Sequence, residues 1–308
     1  MARCTLISVT RTPPAWPVLC LLAVLSAAAL VAACGGPGGG SSPTPTAAVT
    51  VTSTPSASPS PTATPTATPS PTSRLSLYFL RGEELGVAER RVPLTAEPAA
   101  AAIEALLGGP TAAERAAGLT SAVPDETRLL GVRIRDGLAT VDLSDAFAGG
   151  GGSLSMEARV AQIVYTLTRF PTIEAVDFLL DGALVETLGG EGLILDAGQT
   201  RADWRQFEPA IFVERPGVGA VVSSPFILAG TARVFEGAFM ARLEDDSGRR
   251  VASVPVQASA GGPERGDFRK TIAFGTPASA GTLIVYDQSM EDGSRQDEVR
   301  IPVRFSPD

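Results

Sequence analysis

Hydrophobic and polar positions divide the chain into three stretches with different patterns. An apolar run from Ala15 to Ala33 follows a short start that carries Arg3 and Arg11. Residues 35–73 hold almost no large apolar side chain and consist mainly of Gly, Pro, Ser, Thr and Ala. From residue 74 onward, apolar positions recur with the periods of strands and helices. The pattern predicts a leader at 1–33, a disordered linker at 34–73 and a folded part at 74–308.

The first half of the folded part, residues 74–192, predicts a small α+β domain. Alternating apolar positions predict strands, and spacings of three and four predict two helices. Pro and Ser favour helix starts, and the Asp-Gly dipeptides favour hairpin turns. The expected order is β-α-β-β-α-β. In chain order, the start and turn signals are Pro98, Asp136-Gly137, Ser153 or Ser155, and Asp181-Gly182.

Helical periodicity disappears after the linker expected at residues 193–208. Short strand-like runs recur through residues 209–308, and turn signals rich in Gly, Asp and Pro separate them. So many short strands in about a hundred residues are typical of an all-β sandwich. The runs are 226–234, 238–244, 251–258, 267–274, 282–287 and 299–305.

The end of the leader carries the strongest local signal in the chain. The sequence LVAAC at residues 30–34 resembles the lipobox of a bacterial lipoprotein signal peptide. This resemblance implies lipidation of Cys34 and a tether on the extracytoplasmic face of the membrane. An uncleaved anchor is the alternative, because about 19 apolar residues can just span a bilayer. The other cysteines, Cys4 and Cys20, lie inside the leader, so no intramolecular disulfide is expected.

Composition excludes most catalytic chemistry. The chain has no histidine, and Lys270 is its only lysine. Histidine-dependent nucleophiles and histidine-ligated metals are thereby excluded, so we expect no enzyme, no cofactor and no metal site. The net charge is −8, and removal of Arg3 and Arg11 makes it −10. Such an acidic chain, without a basic cluster, is not expected to bind nucleic acid.

The remaining reactive side chains, carboxylates and one lysine, leave three weaker signals. Asp142 and Asp145 could form an acid/base pair for glycan hydrolysis, but a strand end followed by a turn explains them better. Residues 287–298 nearly match a calcium loop, yet the glycine falls one place late and strands flank the loop. Lys270 shares the phase of inward apolar residues, which is typical of a long side chain that extends its amine to the sheet edge. A buried, activated amine is the less favoured alternative.

Residues 75–190 resemble the GerMN domain of sporulation and germination proteins. The stretches SAVPDETRL (121–129), RDGLATVDLS (135–144), IVYTLTRFP (163–171) and VDFLLDG (176–182) carry this resemblance. Residues 209–305 resemble the immunoglobulin-like domain of bacterial spore germination proteins, through VVSSPF (221–226), GTARVFEG (230–237) and SMEDGS (289–294). The pair implies a non-enzymatic envelope lipoprotein whose first domain is similar in fold to ring-building modules. The candidate interaction residues are Ser223, Ser224, Pro225, Phe235 and Glu236, although structural turns and strand ends explain these residues better than a binding site does.

Three functional hypotheses follow. The preferred one is a lipid-anchored envelope protein that acts by contact with a protein partner or by self-assembly. The alternative is a module that binds wall glycan or a small ligand, in the sandwich or in a groove near Trp204 and Phe207. A wall hydrolase that uses carboxylates is the least favoured.

Overall fold

The α+β domain comes first in the computed structural model, which describes residues 71–190 and 192–306. The all-β sandwich follows it, so the predicted fold class is confirmed. No helix in the described residues is long and apolar enough to cross a membrane. The elements of the α+β domain are β1 (Thr72–Arg81), β2 (Glu84–Pro93), α1 (Pro98–Leu107), α2 (Ala112–Ala116), β3 (Leu129–Arg135), β4 (Leu138–Leu143), α3 (Ser153–Leu167), β5 (Ala175–Leu180), β6 (Ala183–Leu184), β7 (Thr187–Leu188) and β8 (Leu193–Ile194).

Three sheets make up the α+β domain. β1 and β2 form a long two-stranded hairpin, so the chain contains a second strand before the first helix. The four-stranded sheet has the order β3-β4-β5-β6, with β4 and β5 parallel across the α3 crossover. Its predicted turns are confirmed, since Asp136, Gly137, Asp181 and Gly182 all have the positive φ that such turns require. β7 and β8 form a short third sheet.

Helix α3 is buried on almost every side, including at polar positions. The side chain of Gln162 donates from Nε2 to the carbonyl of Tyr78 (3.2 Å) and accepts from the amide of Ala122 (2.8 Å). Thr166 Oγ1 accepts from the amide of Tyr78 (3.1 Å). A buried backbone group must be hydrogen-bonded, so these two side chains satisfy the β1 backbone where no strand lies beside it.

The start of α3 differs from the prediction of a serine cap. Gly152 is the N-cap residue, and Ser153 is already the first helical residue. Ser155 instead accepts a bond from Arg159 Nη2 (3.1 Å). The Arg159 guanidinium also donates to the carbonyls of Gly149 and Gly150, both at 2.9 Å. The glycine run is therefore a loop held by one buried arginine.

Two sheets face each other in the sandwich. One has the order β14-β11-β9 and the other β10-β16-β15-β12-β13. Inward side chains of both sheets form a continuous apolar core, which includes Phe239, Phe268 and Phe305. The strands are β9 (Ile211–Arg215), β10 (Val221–Val222), β11 (Phe226–Ala232), β12 (Ala238–Asp245), β13 (Arg250–Gln257), β14 (Gly266–Ile272), β15 (Ala280–Gln288) and β16 (Arg295–Phe305).

Backbone contacts join the two domains directly. The Glu89 amide donates to the Val218 carbonyl (2.9 Å), and the Val218 amide donates to the Val87 carbonyl (2.8 Å). Gly217 lies against the same strand: a Cβ there would stand 2.9 Å from the Glu89 nitrogen. Only glycine allows the loop after β9 to approach β2 so closely.

Candidate interaction surfaces

An aromatic cluster fills the space where the two domains meet. Tyr78 and Tyr165 come from β1 and α3, and Phe212 comes from β9. The ring centroids lie 5.5 Å apart for Tyr78–Tyr165, 6.0 Å for Tyr78–Phe212 and 5.9 Å for Tyr165–Phe212. All three side chains are buried, so the domains share one apolar contact at this point.

Arg201 connects the polar ends of this cluster. Its Nη1 lies 2.6 Å from Glu214 Oε1, and its Nη2 donates to the Tyr78 hydroxyl (3.1 Å) and the Tyr165 carbonyl (3.2 Å). Its Nε donates to Thr168 Oγ1 (2.8 Å). The Tyr78 hydroxyl in turn donates to Glu214. We call Tyr78, Tyr165, Arg201, Phe212 and Glu214 the inter-domain joint.

The charges of Arg201 and Glu214 in the inter-domain joint stabilise each other and offset the cost of removing them from water. Burial alone would raise the pKa of Glu214, but the charge of Arg201 and bonds from Tyr78 and Arg201 outweigh it and lower that pKa. Burial would lower the pKa of Arg201, whereas Tyr78 and Glu214 raise it. Burial raises the pKa of the Tyr78 hydroxyl. The joint therefore contains an ionised pair and a neutral phenol at neutral pH.

A second ion pair fixes the chain between the domains. The Tyr165 hydroxyl donates to Glu208 Oε1 (2.6 Å), and Arg265 Nε lies 2.8 Å from Glu208 Oε2. Arg265 Nη2 also donates to the Pro209 carbonyl (2.9 Å). Helix α3, the connecting segment and the start of β14 are thus held together.

Strand β3 presents an open sheet edge, which we call the β3 edge. β4 is its only strand partner in the described part of the chain. Leu130 and Ile134 are 53% and 43% exposed there. A groove of about 450 Å³ runs between β3 and the start of α1. Arg133 and Arg135 are exposed, and neither forms an ion pair with another described residue.

A second open surface lies on the sandwich, and we call it the sandwich groove. Its volume is about 490 Å³, and Phe235 and Met290 on its rim are 62% and 84% exposed. Lys270 reaches it from β14, half-buried and in phase with the buried Phe268. The residues that line it include Phe235, Glu236, Met240, Pro255, Gln257, Lys270, Asp287 and Met290.

The structure separates the two predicted interaction motifs. Ser223, Ser224 and Pro225 precede β11, whereas Phe235 and Glu236 follow it, at the sandwich groove. A seven-residue strand places them about 23 Å apart. Ser224 Oγ accepts from the amide of Phe274 (2.9 Å), which is a structural contact. The two motifs therefore do not form one site, and a binding role for either stays a prediction.

Other predicted residues have structural contacts. Asp142 Oδ1 accepts from the Gly182 amide (3.0 Å), and the Asp145 amide donates to Asp181 (3.3 Å). Both aspartates thus contact the Asp181-Gly182 turn after β5, and Asp145 itself begins a short 3-10 helix after β4 (Asp145–Ala148). Trp204 and Phe207 are buried, while a groove of about 190 Å³ lies between the domains nearby, beside Pro209 and Phe212. Ligand binding in that groove stays a prediction. Within residues 71–190 and 192–306, no cluster of three or more His, Cys, Asp or Glu residues could hold a metal. Cys34 lies outside the described residues.

Sequence reasoning missed the inter-domain joint and the β3 edge. Arg201 and Glu214 are separated by 13 positions, and neither belongs to a recognisable motif. The sequence does offer one signal for the β3 edge, since Arg133 and Arg135 alternate with apolar residues there. Such a pattern predicts an ordinary amphipathic strand, and it does not indicate whether another strand pairs with each of its edges.

The fold defines a two-domain protein in which an α+β domain and an immunoglobulin-like sandwich share a buried joint. Residues 76–186 match the family model Germane, described as sporulation and spore germination. Residues 210–294 match Gmad2, the immunoglobulin-like domain of bacterial spore germination. The chain therefore contains a Germane domain and a Gmad2 domain, and the predicted resemblance to both families is confirmed. The exact limits at 192 and 209 stay predictions.

Solved structures similar to the chain include two from the sporulation protein GerM of Bacillus subtilis. Its tandem GerMN domains match at 19% identity and a TM-score of 0.39, over 60% of this chain and 60% of that one. Its first GerMN domain matches at 25% identity and a TM-score of 0.37, over 43% of this chain and 100% of that one. A comparison with curated proteins gives no match.

Proposed function

We propose that this chain is a non-enzymatic, lipid-anchored envelope protein that acts by protein contact in sporulation, germination or a related envelope process. One observation carries the proposal. The buried inter-domain joint links the two domains, while the β3 edge and the sandwich groove are left open. Two domains that are held together by a buried contact, and that leave a sheet edge and a groove exposed, are suited to binding another protein. The matches to two sporulation and germination families support the same class of process.

Crosslinking in the protein's own cells tests the contact function. A photoreactive amino acid would replace Leu130 on the β3 edge, Phe235 on the sandwich groove or Arg300 as an exposed control. We expect discrete adducts of constant mass from at least one of the first two positions and none from Arg300. Absence of adducts at both surfaces would contradict the proposal, as would wall hydrolysis by the purified protein.

The lipid anchor has its own test. Radiolabelled palmitate is expected to enter the wild-type chain and to be absent from Cys34→Ala, which should also leave the membrane fraction. Equal labelling of both chains would remove the anchor from the proposal. The contact function would then be judged by crosslinking alone.

The sandwich groove supports a second candidate function, the binding of wall glycan or a small ligand. Sugar rings and apolar ligands pack on aromatic faces such as that of the exposed Phe235, and Lys270 and Gln257 offer donors. Sedimentation with purified peptidoglycan would test this function. Binding that is lost in both Phe235→Ala and Lys270→Met would favour it, and no sedimentation of the wild type would exclude the glycan.

A further inference from the structure

The β3 edge offers unpaired backbone groups. In an edge strand, alternate residues direct their N–H and C=O groups away from the sheet. Within the described residues, no loop or side chain hydrogen-bonds to the backbone of residues 130–135 from the open side. A short row of donors and acceptors is therefore available to another strand.

The inner face beside this edge is incompletely covered. Val132 and Ile134 pair with Val141 and Ala139, which are fully buried under the helices. The cover ends before β3, so Ile134 stays partly exposed above the groove of about 450 Å³. An additional strand would place its own apolar side chains over this groove and extend the core by one row.

The outer face of the same strand carries positive charge. Arg133 and Arg135 pair with Thr140 and Leu138 on β4, where no carboxylate lies opposite them. Edge arginines can simply protect a sheet from aggregation. Protection alone does not explain why apolar side chains are left exposed on the other face of the same strand.

The groove side of β3 disfavours negative charge, whereas the outer face with its two arginines favours it. Glu97, the N-cap residue of α1, and Glu104 within α1 line it, so a further carboxylate on that side would be repelled. One face of an added strand thus has to be apolar, and the other face is suited to negative charge. Opposite charges directly across two strands are favourable, and like charges are unfavourable.

We infer that the β3 edge binds an extended segment of a partner protein in which apolar and acidic side chains alternate. This inference rests on the proposed contact function and names the surface and the partner chemistry. Backbone hydrogen bonds to β3 supply the attraction, and the two faces set the register. A shift by one residue would move every carboxylate into the groove beside Glu97 and Glu104, so the wrong register is excluded.

Peptide binding to the full-length protein in detergent micelles tests this inference. The probe is a blocked seven-residue peptide of alternating Val and Glu, which matches the seven residues of β3. Its controls have the same composition without alternation, or Lys in place of Glu. We expect the alternating acidic peptide to bind at least about fivefold more tightly than either control. Its binding should also slow amide hydrogen exchange in β3.

Charge reversal provides the decisive variant. Arg133→Glu combined with Arg135→Glu should invert the preference toward the Lys peptide, because both side chains are exposed and form no ion pair with another described residue. Arg269→Glu, on the edge strand β14, is the matched control and should bind like the wild type. The circular dichroism spectrum of each variant verifies folding.

Several results would overturn the inference. These are equal affinity for the alternating and scrambled peptides, no effect of charge reversal, or protection of amides outside β3. If crosslinks form from Leu130 while no peptide binds, the contact function stands and the strand-addition inference fails. If peptides bind as expected but no crosslinks form in cells, the surface is competent and the proposed function fails.

Discussion

Arg201 is the residue on which the polar part of the inter-domain joint depends. Replacing it with methionine keeps the length of the side chain but removes the charge opposite Glu214 and the donor to Tyr78. An uncompensated carboxylate would then remain in a largely buried position. We expect Arg201→Met to lower the free energy of unfolding by about 3–5 kcal/mol, measured by urea denaturation.

Arg300→Met is the matched control for that substitution. Arg300 also pairs with a carboxylate, that of Glu298, but its side chain is 56% exposed. Exposed pairs contribute little, so a loss of less than about 1 kcal/mol is expected. Equal losses for Arg201→Met and Arg300→Met would contradict the importance of burial at the joint.

Glu214 should make stability depend on acid pH. Its pKa is lowered in the folded state, so folding favours the charged carboxylate. That contribution is complete above the ordinary glutamate pKa of about 4.3 and is lost as pH falls through the lower folded value. The free energy of unfolding of the wild type should therefore decrease below about pH 5, in denaturation at stepped pH.

Glu214→Gln should have a shallower dependence over the same window, because it has no charge to lose. The slope should not vanish, since the pKa of Glu114 is also lowered: bonds from Arg90 and Thr111 outweigh the effect of its burial. Identical slopes for Glu214→Gln and the wild type would show that Glu214 is not the group responsible.

At the scale of elements, the sequence predicts local features well and long-range ones poorly. The two Asp-Gly hairpins and the main strands of the sandwich depend on neighbouring residues, and the structure confirms them. The surroundings of α3 depend on a strand more than 80 positions away, because Gln162 and Thr166 bond to Tyr78. A polar residue on such a helix looks solvent-facing until its tertiary partner is known.

The two candidate surfaces also depend on long-range contacts, which the sequence predicts poorly. The motif residues Phe235 and Glu236 were identified, but their meeting with Lys270 in the sandwich groove depends on strand pairing. The exposure of Ile134 depends on where the helices end over the sheet, and that of Leu130 depends on the register irregularity between Leu129 and Gly131. The sequence alone predicts the strands that carry these residues, but it predicts neither the β3 edge nor the sandwich groove.

Thr166 provides an element-scale prediction for the contact between α3 and β1. Valine has nearly the same shape, but it leaves the buried amide of Tyr78 without its acceptor. We expect Thr166→Val to lower the free energy of unfolding by about 1–3 kcal/mol in urea. Thr271→Val, at an exposed position of β14, should be nearly neutral. A neutral Thr166→Val would show that another acceptor satisfies the Tyr78 amide.

At the scale of the whole molecule, the shared joint should make the two domains unfold together. The aromatic cluster, two ion pairs and the backbone bonds of Val218 all lie between them. Domains that share so much buried contact are expected to lose structure in one transition. Trp204, buried in the connecting segment, reports this region by fluorescence, whereas circular dichroism reports the strands and helices of both domains.

Gly217 is a position where this coupling can be weakened by one substitution, because its loop lies directly against β2. A Cβ at that position would stand 3.0 Å from the Ala88 carbonyl carbon, so Gly217→Val must push the loop away from β2. We expect the wild type to show coincident urea transitions by fluorescence and circular dichroism, and Gly217→Val to show separated ones. Gly275→Ala is the control, because a Cβ there meets nothing within 4 Å. Coincident transitions with an unchanged midpoint in Gly217→Val would mean that the domains are coupled without this contact.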